Sequence, residues 1–172
     1  MVENLLTVTR IDEAHALVAK EPTVLEELIG SVLVKFRRRC PETRVETLLP
    51  EAFVVIPMDA MLIEQVLLNL LENAVTHAHG MTRLTLAVTC EDKNARFTVS
   101  DNGCGIPKER LENLFMGQMP LSDDKRSGMG IGLYVCAAII RAHGSRIAAE
   151  NLSPRGAAFT FTLEMEDANE QQ

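Results

Sequence analysis

Apolar residues recur with helical period in several stretches of the chain. Leu25, Leu28, Ile29, Val32, Leu33 and Phe36 fall on one side of one predicted helix. Leu62, Ile63, Val66, Leu67, Leu70, Leu71, Ala74 and Val75 fall on one side of another, and Gly130 to His143 reads as a third. Thr23 and Glu26 form a capping-box pattern ahead of the first helix, whose basic end, Lys35 to Arg39, suits a helix C-terminus. Asp59 is the expected N-cap of the second, which should stop near Ala78 to Gly80. Met1 to Asp12 predicts a short apolar helix, the end of a longer one, followed by a linker over Glu13 to Pro22. Pro107 to Phe115 predicts a short helix, and Met116 to Arg126 an aperiodic, mobile loop.

Between the helices the period changes. Arg44 to Leu49 and Phe53 to Ile56 read as short strands around a Pro50 turn. Thr82 to Cys90 and Ala95 to Ser100 form a predicted strand pair turning at Asp92-Lys93-Asn94. A second pair, Arg146 to Asn151 with Ala158 to Glu164, turns at Ser153-Pro154-Arg155-Gly156. Helices interleaved with hairpins predict a two-layer α/β sandwich on a mixed, mostly antiparallel sheet.

The 172 residues suffice for one domain with a real core. The net charge of −7 argues against a broad nucleic-acid surface, and the absence of Trp and the single Tyr argue against base stacking on aromatics as a main binding mode. Cys40, Cys90, Cys104 and Cys136 lie far apart without a C-x-x-C pair, which favours free thiols in a reducing compartment over zinc or disulfides. No apolar run is long enough to span a bilayer, and no signal-peptide pattern opens the chain.

Three clusters carry candidate chemistry. Asn69 and Asn73, four residues apart, share one helix face, and amide oxygens suit a magnesium ion with its water shell. Asp101-Asn102-Gly103-Cys104-Gly105-Ile106-Pro107 follows an apolar strand. A carboxylate at that strand end can accept a hydrogen bond from an exocyclic amine, which adenine offers and guanine does not; the glycines permit close backbone approach. Gly128-Met129-Gly130-Ile131-Gly132-Leu133 opens a helix, where exposed N–H groups favour phosphates. It fits neither the P-loop, lacking the Lys, nor the dinucleotide fingerprint, lacking a parallel βαβ unit.

As an ordered set these motifs resemble the ATP-binding domain of sensor histidine kinases, within the gyrase–Hsp90–kinase–MutL superfamily, whose fold is the Bergerat ATP-binding sandwich. Asn69 to Ala78 is similar to the N box, Asp101 to Ile106 to the first G box, Leu114-Phe115 to a reduced F box, Gly128 to Leu133 to the second G box, and Gly156 to Leu163 to the last. Met58 to Leu67 and Asp101 to Pro107 resemble KdpD-type potassium and turgor sensors most. The resemblance implies a remnant of the dimerisation helix over residues 1–12, a linker over 13–22, the catalytic domain over 23–165 and a disordered tail over 166–172. It implies ATP and Mg2+ as cofactors. Asn73 would coordinate magnesium, with Asn69 supporting it near the phosphates. Asp101 would read the adenine amine, Gly103 and Gly105 would shape the pocket floor, and Ile106 and Leu133 would press on the base. Gly128, Gly130, Ile131 and Gly132 would hold the phosphates, and residues 116–127 would form the lid. An amide at Asn69, where hydrolysing superfamily members carry Glu, favours transfer to a protein side chain over hydrolysis.

Some positions depart from the family pattern. Thr76-His77 stand where many kinases have Lys-Tyr, the F box lacks its second aromatic and Arg, and Ala157 stands where a hydroxyl residue often holds a water near adenine. Lys125 and Arg126 in the lid are the candidate replacement cations. None of His15, His77, His79 and His143 lies in an H-box context, so the phosphoacceptor is expected upstream of Met1. The implied whole is a sensor kinase for potassium or osmotic signals, a membrane-bound homodimer at the inner membrane with this domain on the cytoplasmic side. It would contain its own dimerisation domain and act on a response regulator. The alternatives are an ATP-binding regulatory switch without kinase activity and an anti-sigma-type serine kinase.

Overall fold

A computed structural model describes residues 18–116 and 129–165. The predicted helix at Met1 to Asp12, most of the lid and the polar tail lie outside these residues. In chain order the elements are β1 (Glu21–Val24), α1 (Leu25–Arg39), β2 (Val45–Leu48), β3 (Val55–Met58), α2 (Ala60–His77), β4 (Leu84–Glu91), β5 (Asn94–Asp101), α3 (Lys108–Leu111), α4 (Met129–Ala142), β6 (Ile147–Asn151) and β7 (Ala157–Glu164).

The sheet runs β2-β4-β5-β7-β6, with β2 parallel to β4 and every other pairing antiparallel. This is the mixed, mostly antiparallel sheet expected. Alternation sorts its faces. Leu84, Leu86 and Val88 of β4, Ala95, Phe97 and Val99 of β5, and Phe159, Phe161 and Leu163 of β7 are buried on the helix side. Phe97 and Phe161, direct cross-strand partners, stack with ring centroids 4.9 Å apart. The other face carries Thr85, Thr98, Thr160 and Thr162, none fully buried. The helices form the second layer. Leu28, Ile29, Val32 and Phe36 of α1, Ile63, Val66, Leu67, Leu70 and Leu71 of α2, and Val135, Cys136, Ile139 and Ile140 of α4 close one continuous core.

Asp59 caps α2 as expected, its side chain accepting the Leu62 N–H, and α2 ends at His77. Four local expectations are corrected. Thr23 and Glu26 form no capping box: Val24 is the N-cap without a side-chain bond, and Thr23 lies in β1, opposite Ile56. Glu21 and Pro22, read as linker, are the first half of that strand. β2 and β3 do not pair around Pro50, because β2 lies beside β4 while β3 joins β1 in a separate two-stranded sheet. The helix after Pro107 shrinks to the four residues of α3.

Candidate functional site

The alternation of β5 decides where Asp101 points. Ala95, Phe97 and Val99 face the core, so Asp101, two residues further on, continues the same row at the strand's end. It is 8% exposed, and its Oδ1 accepts the Gly103 N–H at 2.8 Å. Core side chains run out here, leaving a shallow cleft, open to solvent, lined by Asn73, Ala74, His77, Ala78, Asp101, Gly105, Ile106, Ala157 and Phe159. The walls are mostly apolar and the polar groups few, which is how such sites orient a planar ligand.

Asn73, Asp101, Gly105 and Ile106 are therefore brought together. Gly103 packs behind the cleft; a Cβ there would sit 2.7 Å from the Ala78 Cβ and 2.8 Å from its backbone, so the glycine lets the Asp101 turn close against the end of α2. Asn69 stands one turn earlier and does not line the cleft. Its Nδ2 is buried without a hydrogen-bond partner among the described residues, beside the Cys136 thiol of α4. Burial pushes that thiol up to about 12, an effect the Asn69 amide partly offsets, while Sγ reaches the Val66 carbonyl at 3.8 Å. Leu133 is buried in the core and Gly132 lies in the first turn of α4; Gly130 and Ile131 belong to that helix. Gly128, Lys125 and Arg126 lie outside the described residues.

The departures from the family pattern have visible consequences. Thr76 turns its hydroxyl back onto the Glu72 carbonyl at 3.0 Å, on the exposed side of α2. His77 lines the cleft; burial, then Arg110 and His79, hold its pKa below the ordinary range. Of the reduced F box, Leu114 is buried, and Phe115 meets Phe159 edge-on at 6.4 Å, backing the cleft wall. Ala157 contributes only a methyl to the lining.

Three side chains that the sequence reading missed hold the Asp101–Ile106 segment in place. Asn102 Oδ1 accepts the N–H groups of Thr82 and Arg83, each at 2.8 Å. Asn151 Oδ1 accepts the Ile106 N–H at 2.7 Å, and its Nδ2 donates to the Ile106 carbonyl at 2.8 Å. Arg155 Nε donates to the Gly103 carbonyl at 3.1 Å. Their partners lie 20, 45 and 52 residues away in sequence, and no local pattern announces them.

Among the described residues no group of three His, Cys, Asp or Glu side chains is placed to hold a metal. Asn73 offers one hard amide oxygen on the cleft wall, which fits an ion that keeps much of its water shell and shares a ligand's phosphates. No described helix is long and apolar enough to cross a membrane.

Over 170 residues, 96% of its length, the chain is 32% identical to the sensor protein KdpD of Clostridium acetobutylicum. Over an alignment of 173 positions that covers 99% of its length, it is 35% identical to KdpD of Escherichia coli. It spans 19% of the length of each of these relatives. Among solved structures, the histidine kinase AdeS of Acinetobacter baumannii superposes with a TM-score of 0.74 at 25% identity, covering 96% of this chain and 77% of that one. Residues 58–167, which contain α2, the cleft, α4 and the last hairpin, match the family of histidine kinase-, DNA gyrase B-, and HSP90-like ATPases, and the chain belongs to that family.

Proposed function

We propose that this chain is the catalytic, ATP-binding domain of a sensor histidine kinase, which binds Mg-ATP and donates the γ-phosphoryl group to a histidine of a separate dimerisation domain. The observation that carries this reading is Asp101: a buried carboxylate at a strand end, on the wall of the same cleft as Asn73. With Oδ1 held by Gly103, the carboxylate is oriented to accept a hydrogen bond from the exocyclic amine of adenine. Ile106, Phe159, Ala74 and Ala157 supply apolar surface for the base. Asn73, on the cleft wall, is assigned to the metal–phosphate end, with Asn69, Gly128, Gly130, Ile131, Gly132, Lys125 and Arg126 assigned to the phosphate side. Magnesium, when bound, neutralises charge on the phosphates. Phosphoryl transfer otherwise needs positioning, which the rigid Asp101–Ile106 segment provides. The amide at Asn69 is a poor general base, so a protein side chain is the acceptor.

The KdpD relatives extend the proposal to a potassium- or osmosensing membrane-bound homodimer that passes its phosphoryl group to a response regulator. The test is to mix this chain with radiolabelled ATP and a separate dimerisation domain carrying an H box. Acid-labile phosphohistidine on that domain is the expected result. Tight ATP binding without transfer would instead favour a regulatory switch, the reading that the turned-away Thr76 supports.

A further inference from the structure

We infer that Asn151 is the positioning residue that sets the adenine end of the cleft, acting through the backbone of Ile106. The inference rests on reading the cleft as an adenine site. Ile106 lies between the end of β5 and α3 and belongs to neither. Its N–H and its carbonyl are both satisfied by one side chain, the Asn151 amide, at 2.7 and 2.8 Å. Only an amide offers a donor and an acceptor side by side in this way.

Asn151 itself is firmly placed. It pairs with Ala157 at the end of β6, and the following Leu152 N–H closes the turn onto the Gly156 carbonyl at 2.8 Å. Gly105 fits the same clip. It adopts φ +79°, and a Cβ on it would stand 2.9 Å from Asn151 Oδ1, so the amide fills the space a side chain would need. Through these contacts, the last hairpin fixes how far Ile106 stands from Asp101, which is the spacing a base must match. Loosening the clip lets the Ile106 wall drift while Asp101, held by β5 and Gly103, stays. Affinity and base selectivity then fall together.

The experiment is calorimetric titration of the chain with Mg-ATP and Mg-GTP, alongside thermal melts, for wild type, Asn151→Ala and Asn151→Asp. Asn151→Ala is expected to weaken ATP binding about tenfold, equivalent to about 1.4 kcal/mol, and to shrink the preference for ATP over GTP. Asn151→Asp keeps an acceptor for the Ile106 N–H and should fall between; it also serves if the alanine variant does not fold. Gly105→Ala should cost less affinity in the Asn151→Ala background than in wild type, because the two share one contact. Unchanged ATP affinity in a folded variant overturns the inference and leaves the adenine reading standing. So does an equal loss for both nucleotides with a lowered melting temperature, which marks general destabilisation. A wild-type chain that binds neither nucleotide overturns the adenine reading, and the inference with it.

Discussion

The backbone N–H of Asp59 donates to Nε2 of His143 at 3.1 Å, tying the start of α2 to the residue that follows α4. The other ring nitrogen, Nδ1, donates to the Ile139 carbonyl at 2.8 Å. The neutral imidazole thus serves as acceptor and donor at once, and a second proton would put an N–H against the Asp59 N–H.

This arrangement makes stability depend on pH. Burial, the main cause, lowers the pKa of His143 from its ordinary value of 6.5; Lys20 adds to this, while the Ile139 carbonyl and Asp59 oppose it. The unfolded chain therefore takes up the proton first, and stability falls as pH drops below about 6.5 until the folded form is protonated too. Thermal melts between about pH 7.5 and about pH 5 should show a falling midpoint. His143→Gln should flatten that slope, leaving the part due to His77, which is shifted in the same direction. An identical slope in the variant would remove His143 from this role.

Asp101→Asn tests adenine recognition without disturbing the turn, since an asparagine Oδ1 can still accept the Gly103 N–H. A charge-assisted hydrogen bond is replaced by a neutral one that also places an NH2 near the base amine. ATP affinity should fall roughly tenfold to a hundredfold, measured by titration, with the melting temperature little changed. Unchanged affinity would end the adenine role of this carboxylate.

Gly156→Ala should be among the most damaging substitutions. A Cβ there would lie 2.0 Å from the Asp101 carbonyl oxygen, and φ is +111°. The clash is with backbone at the β5–β7 pairing of Asp101 with Ala157, where neither strand can yield without opening the cleft. A loss of about 3 kcal/mol or more in urea unfolding is expected.

The thiols should separate by exposure. Cys104 is exposed, Cys40 and Cys90 half-buried and Cys136 buried with its pKa pushed up to about 12. Brief treatment with an alkylating reagent should label Cys104 first, and Cys136 only after denaturation, as read by mass spectrometry. Early labelling of Cys136 would mean that α4 does not pack on α2 as described.

What could be read early was what local spacing controls. The faces of α1 and α2 followed from the helical period, and the place of Asp101 at a strand end from the apolar run before it. Where long-range pairing competed with a local signal, the pairing won: Thr23 looked like a cap, yet its backbone was taken up by the strand opposite Ile56. β2 and β3 looked like a hairpin, yet the edge of β4 captured one and β1 the other.

The sequence by itself determined that the chain folds as an α/β sandwich, that Asn69 and Asn73 share a helix face, and that Asp101 stands at the end of an apolar strand. Side-chain period is a property of the backbone and needs no partner. Only the tertiary structure decided that Asn73 reaches the cleft while the Asn69 amide lies beside Cys136, and that Asn102, Asn151 and Arg155 hold the loop between Asp101 and Ile106. Those outcomes depend on which distant backbone groups need a hydrogen-bond partner once the sheet has closed, and spacing along the chain carries no record of that.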